Sequence, residues 1–165
     1  MSKKVTLPKL KKFNMVMAGL HAVQALAIVL LSKSFSLPIS GSFLRFNKAS
    51  QSLEPASKIL FNLSLPALIV IFFALSSLFH LFIATVYNKR YGQNLKKGIN
   101  KARWIEYSLS ASTMIVAVAL LVGIYDLASL VMLFALTAIM NLCGLVMEEH
   151  NQTTPKTNWL SYWLG

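Results

Sequence analysis

Four runs of apolar residues, each long enough to cross a lipid bilayer, constrain this chain more than any other feature. They cover about 13–32, 59–87, 102–125 and 127–147. The first, at ~1.5 Å rise per residue, makes ~30 Å of helix, the thickness of the hydrocarbon layer. Backbone polar groups in lipid must be satisfied within the segment, so runs of this kind read as helices and the chain as an all-α membrane protein. Composition agrees: 56% of the 165 residues are hydrophobic and only 13% are charged, against about 25% charged in a soluble domain. The formal charge of +11 raises nucleic acid as a partner. The cations cluster at the ends of the apolar runs, however, which is the pattern of membrane anchoring, and no nucleic-acid role is expected.

Between the spans the chain is short and basic. Residues 1–12, with Lys3, Lys4, Lys9, Lys11 and Lys12, read as a cytoplasmic leader, with or without a short interfacial helix; no signal peptide is expected. The external loop, 33–58, contains Pro38, Gly41 and Pro55. Its alternating stretches at 34–40 and 42–46 fit either a β-hairpin turning near Gly41 or an irregular loop. Pro66 predicts a kink in the long second run. Residues 88–101 form a basic connection with Gly92 and Gly98, and Asp126 marks a very short turn. Residues 151–158, with Pro155, form a polar loop before the aromatic-rich Trp159-Leu160-Ser161-Tyr162-Trp163-Leu164-Gly165, which reads as the opening of a fifth span. With the N-terminus inside, only Lys33, Arg45, Lys48 and Lys58 fall outside and every other Lys and Arg falls inside. The positive-inside rule therefore predicts a cytoplasmic N-terminus.

Glu106 is the one carboxylate within the long apolar runs. An ionisable group there is costly and marks a functional site by default. Helix rise puts His21 at ~12 Å and His80 at ~10 Å from the same membrane edge by which Glu106 enters. Asn14, Met17, His21 and Gln24 share one face of the first helix, Ser76 and His80 one face of the second, and Glu106, Ser110, Thr113 and Ala117 one face of the third. Three such stripes facing inward would form a hydrated pocket. The plainer alternatives are an interhelical hydrogen-bonding role for the histidines, helix packing for the serines, and a surface pair of Glu106 with Arg103. There is no phosphate loop, zinc-ligand spacing or nucleophile elbow, so neither an enzyme nor a metal site is expected. Glu148, Glu149 and His150 read as a charged helix end. Cys143 lies alone in an apolar run as a buried thiol. The acceptor patterns at Asn62 and Asn151 are read as unused, one in a span and one in a cytoplasmic loop.

The stretch Arg103-Trp104-Ile105-Glu106-Tyr107-Ser108-Leu109-Ser110, with Leu75-Ser76-Ser77-Leu78-Phe79-His80 and Ala18-Gly19-Leu20-His21, resembles the heliorhodopsins, relatives of microbial rhodopsins with inverted topology. The resemblance extends over nearly the whole chain, including Ser36-Leu37-Pro38-Ile39-Ser40-Gly41. It implies a seven-helix bundle in the plasma membrane and all-trans retinal held as a protonated Schiff base on a lysine of the seventh helix. It also implies a homodimer formed partly by the external β element, and a sensory or regulatory role. By position Glu106 matches the Schiff-base counterion, and His21, His80, Ser76 and Ser110 match the cavity beside it. Tyr107, Thr137 and Met140 match the retinal pocket, with Thr137 where an asparagine is expected. The present chain covers helices one to four and the start of five. It is therefore expected to be a fragment of a longer protein or else a truncated relative, in either case lacking the attachment lysine and unable to carry the chromophore alone. Two other readings remain: a proton or ion conductor, light-gated or constitutive, and a cofactor-free four-helix interaction protein.

Overall fold

Proline, glycine and capping side chains divide the chain more finely than its hydropathy does. The computed structural model describes residues 6–154 and 156–165. Lys3 and Lys4 of the basic leader, and Pro155 of the polar loop, lie outside the described residues. Four helices are long and apolar enough to span a bilayer: α1 (Leu7–Leu31), α2 (Leu65–Ala84), α4 (Lys101–Leu121) and α5 (Leu127–His150). Between α1 and α2 lies a two-stranded antiparallel hairpin, β1 (Ser36–Asn47) and β2 (Ser52–Ser64). A short helix α3 (Asn88–Lys96) joins α2 to α4, and α6 (Leu160–Leu164) is a single five-residue segment. The chain is thus an integral membrane protein by its four spans, along which apolar side chains such as Val23, Leu26, Leu78 and Leu136 are exposed.

Several expected boundaries move. Lys9, Lys11 and Lys12 belong to the first turns of the spanning helix α1 rather than to a separate leader. The hairpin is present but turns at Lys48–Gln51, not near Gly41, where the register instead slips between Ile39 and Ser40. Side chains hold that turn: Asn47 Nδ2 donates to both Glu54 oxygens at 2.9 Å, and Ser50 Oγ donates to Glu54 Oε1. These bonds favour the ionised form and keep the Glu54 carboxyl below its usual pKa.

The apolar run that begins at Ile59 is strand, not helix, until Ser64. Pro66 therefore produces no kink. It sits in the first turn of α2, where its missing N–H removes no hydrogen bond, and Ser64 caps that helix end by accepting from the Ala67 N–H. Asn62 accordingly lies in β2 and not in a span. α4 stops at Leu121, four residues short of the expected end, because Gly123 adopts φ 92° and Ile124 N–H closes back on Ala119 O at 2.9 Å. Asp126 then caps α5 through the Ser129 N–H at 3.0 Å, and α5 carries Glu148 and Glu149 inside its last turn.

In the bundle α2 packs between α1 and α4, and α4 packs on α5, so α2 and α4 are the inner helices. The base of the hairpin seals one end. Ile39 and Leu120 are fully buried there among Leu65, Leu68, Val116 and Leu130. Ser40 N–H donates to Tyr125 O and Ser42 Oγ donates to Asp126 Oδ1, which ties β1 to the α4–α5 turn. At the opposite end Ile83, Tyr91 and Ala102 pack together beneath α3. Glu106 belongs to that second end.

Candidate functional site

Small residues and hydroxyls on α4 let it pack closely inside the bundle. Ser108, Ser110, Ser112 and Thr113 are all buried. Ser108, Ser112 and Thr113 donate to their own helix, to the carbonyls of Ile105, Ser108 and Leu109 at 2.7–2.8 Å. These three are satisfied locally and serve packing, so the helix buries them without needing partners elsewhere. Ser110 is 3% exposed on the Glu106 face. What remains chemically distinctive on α4 is the carboxylate.

Glu106 is 6% exposed. It lines a cavity of about 160 Å³ with Asn14, His80, Asn100, Arg103 and Tyr107, closed by Phe13, Ile83 and Tyr91. Ser76 of α2 is buried, and His21 of α1 stacks on the cavity-lining His80. Among the described residues no ion pair reaches Glu106. The alternative of a surface pair with Arg103 does not form: the guanidinium lies 3.9 Å from Glu148 on α5 and 4.7 Å above the Trp104 ring. Glu106 is thus a buried carboxylate beside a cavity lined by polar side chains, in no ion pair among the described residues.

His80 stands on the other wall, with His21 behind it. Their rings stack at 5.6 Å and 19°, and His21 also stacks on Phe73. Asn14 Nδ2 donates to Leu10 O at 2.9 Å, which fixes the amide so that Oδ1 faces His80 Nδ1 at 2.7 Å. With the Asn14 oxygen as acceptor, His80 Nδ1 is the donor in this contact, and in the neutral ring that leaves Nε2 as an acceptor. His21 Nδ1 is held 2.8 Å from Gln24 Oε1. Ser77 Oγ donates to Ala18 O, and this second link between α1 and α2 keeps the two rings in register.

The structure thus brings Glu106, His80, His21 and Ser76 together, with Ser110 one turn along α4. Tyr107 joins the cavity wall with 44% of its surface open. Thr137 and Met140 lie on α5 away from that cavity; Met140 is exposed, and the carbonyl of Thr137 accepts from the buried Asn141 amide. Sequence reasoning missed three participants. Asn100 caps α4 by accepting the Arg103 N–H and donates its own N–H to Glu148 Oε2 at 2.6 Å. Glu148 thereby holds the cavity rim, not merely a charged helix end, and the Lys101–Glu149 ion pair ties the same two helices. Trp104 packs onto Gly144 and buries an indole N–H that has no partner among the described residues. An Asn directly before a helical run was a readable capping signal; the Trp104–Gly144 contact had none.

Compared with known proteins, residues 10–165 match a family model described as Heliorhodopsin. That span includes every segment on which the resemblance was read. No curated protein matches the chain.

Proposed function

The chain belongs to the heliorhodopsin family, and on that premise we propose that it forms the counterion side of a retinal-binding photoreceptor with a sensory or regulatory role. The observation that carries this reading is Glu106, a buried carboxylate in a membrane span beside a polar cavity, with no cationic partner among the described residues. Such a group is expensive in a membrane unless a cation completes it. When bound, all-trans retinal supplies that cation as a protonated Schiff base, together with a polyene that light isomerises.

The residues present fit one half of that requirement. Glu106 would hold the positive centre, with Ser76 and Ser110 as hydroxyl neighbours. His80, acceptor-ready at Nε2 and stacked on His21, would take up or relay a proton on the same side. Tyr107 would flank the pocket, with Thr137 and Met140 contributing from α5. The attachment lysine would come from outside these four spans: Lys9, Lys11, Lys12 and Lys101 lie in the first turns of α1 and α4, and α2 and α5 contain none. We read the complete site accordingly as part of a seven-helix bundle, in the plasma membrane with its N-terminus in the cytoplasm.

The plug at the hairpin end favours a receptor over a conductor. Ile39 and Leu120, both 0% exposed, pack with other apolar side chains at the hairpin end of the polar stripe, which supports the receptor reading. The exposed apolar residues of the hairpin, among them Phe43, Phe46, Leu53 and Phe61, support its use in a homodimer contact.

The test is Glu106→Gln in the protein carrying its complete retinal site. The expected result is a moved absorption maximum and a visible band that bleaches at lower pH. An unchanged spectrum and titration would remove Glu106 from the counterion role.

A further inference from the structure

The excess of basic charge is not spread over the molecule. Lys9, Lys11 and Lys12 at the start of α1, and Lys89, Arg90, Lys96 and Lys97 on and beside α3, are all exposed. No Asp or Glu precedes Glu54, and none lies between Glu54 and Glu106. Of the carboxylates at this end, Glu106 is buried inside the bundle, and Glu148 and Glu149 are already engaged by Arg103, Lys101 and the Asn100 N–H. None of the seven cations is in an ion pair among the described residues.

These cations form one platform because α3 is fastened under the helix ends. Tyr91 of α3 packs with Ile83 of α2 and Ala102 of α4. Gly92 lets α1 approach: a Cβ there would meet Leu7 at 2.8 Å. The inward side of α3 is thereby used up, and its Lys and Arg point away from the bundle.

The platform also has a defined depth. Between α2 and α3 the chain makes an apolar elbow in which Val86 is 82% exposed and Tyr87 stacks on Phe82 at 5.4 Å. An exposed valine beside stacked aromatic rings belongs at the boundary between acyl chains and headgroups. Lys89 and Arg90 follow within one turn, at phosphate height.

We propose that this platform binds the headgroups of anionic phospholipids in the leaflet on the N-terminal side. Seven uncompensated cations repel one another, and phosphate groups held in the bilayer plane at the same level neutralise them without any change in the fold. Because the elbow sets the cations at the level of the lipid phosphates, headgroups reach them without leaving the bilayer plane, whereas a soluble acidic partner would have to displace those headgroups. The inference requires only that the four helices span a bilayer, so it stands apart from the retinal reading.

The test reconstitutes the chain in phosphatidylcholine bilayers containing a trace of spin-labelled phosphatidylglycerol or spin-labelled phosphatidylcholine, and measures the motionally restricted fraction of each. The anionic label should be preferred by ~5-fold or more at low ionic strength, and the preference should collapse in high salt. It should also collapse in the variant Lys89→Gln, Arg90→Gln, Lys96→Gln, Lys97→Gln, whose side chains make no ion pairs and whose helicity is checked by circular dichroism. The matching variant on the hairpin side, Lys33→Gln, Arg45→Gln, Lys48→Gln, Lys58→Gln, should keep the preference. Inorganic phosphate should not displace the labelled lipid. Equal restriction of both labels, an undiminished preference in the α3 variant, or displacement by free phosphate would overturn the proposal.

Discussion

His80 of α2 meets Asn14 of α1 across 2.7 Å, and the Asn14 amide is itself anchored to Leu10 O. This bond both joins two spanning helices and selects which ring nitrogen of His80 is free. Replacing Asn14 with Leu should lower stability by about 0.6–1.7 kcal/mol, the range for interhelical hydrogen bonds in membranes. It should also redistribute the His80 proton between Nδ1 and Nε2. Unfolding in denaturing detergent reads the first effect and nitrogen chemical shifts of the labelled ring read the second. A destabilised variant with unchanged shifts would mean that Asn14 packs without setting the tautomer.

Gly144 is required by the ring of Trp104. A Cβ at position 144 would lie 2.4 Å from the ring, and the next nearest ring atoms are under 3 Å away as well. An indole cannot bend aside as a flexible chain does, so α4 and α5 must separate. Gly144→Ala should cost about 1–3 kcal/mol and change the Trp104 emission, measured with Trp159 and Trp163 replaced by Phe. Wild-type stability and emission would show that the helices have slack at this crossing.

The four spans, the charge asymmetry between the two sides and the Glu106 face could be read from the sequence because each depends on one segment's own pattern. The strand at Ile59, Leu60 and Phe61 could not. All three are apolar and exposed, and they run without a break into α2, so hydropathy alone does not separate strand from helix. Pro66 was misread for the same reason: its meaning depends on whether a helix begins before it or at it. The turn escaped notice because Asn47, Ser50 and Glu54 make it through side chains, whereas Gly41 offered the more familiar turn residue. The Arg103–Glu148 contact pairs residues on different helices, and no local spacing encodes it.

Asp126 fastens the hairpin to the top of α5. Backbone donation from Ser129, then the Ser42 hydroxyl, favours its ionised form and holds its pKa below the usual 3.8. The stabilisation from a depressed carboxylate is fully present above its unfolded pKa and is lost as pH falls through the lower folded value. Thermal stability in detergent should therefore be flat from neutral pH down to about 4 as far as this group is concerned, and fall below that. Asp126→Asn should be less stable than wild type at neutral pH, with the difference shrinking in strong acid. A gap that widens on acidification would reverse the assigned sign.

Glu106 also permits a prediction that needs no light and no chromophore. In the retinal-free chain its carboxylate is buried without a cation among the described residues, so the membrane bears the cost of a charged or newly protonated acid. Gln keeps the shape and the hydrogen-bonding reach toward Ser76 but carries no charge. Glu106→Gln should therefore stabilise the retinal-free chain by about 1–3 kcal/mol, whereas Glu106→Ala should gain less because it opens space against Tyr107 and His80. The order of resistance to denaturing detergent should be Gln, then Ala, then the native Glu. If Gln proves the least stable of the three, Glu106 is already paired within these helices, and the cation it was inferred to await is supplied by the protein itself.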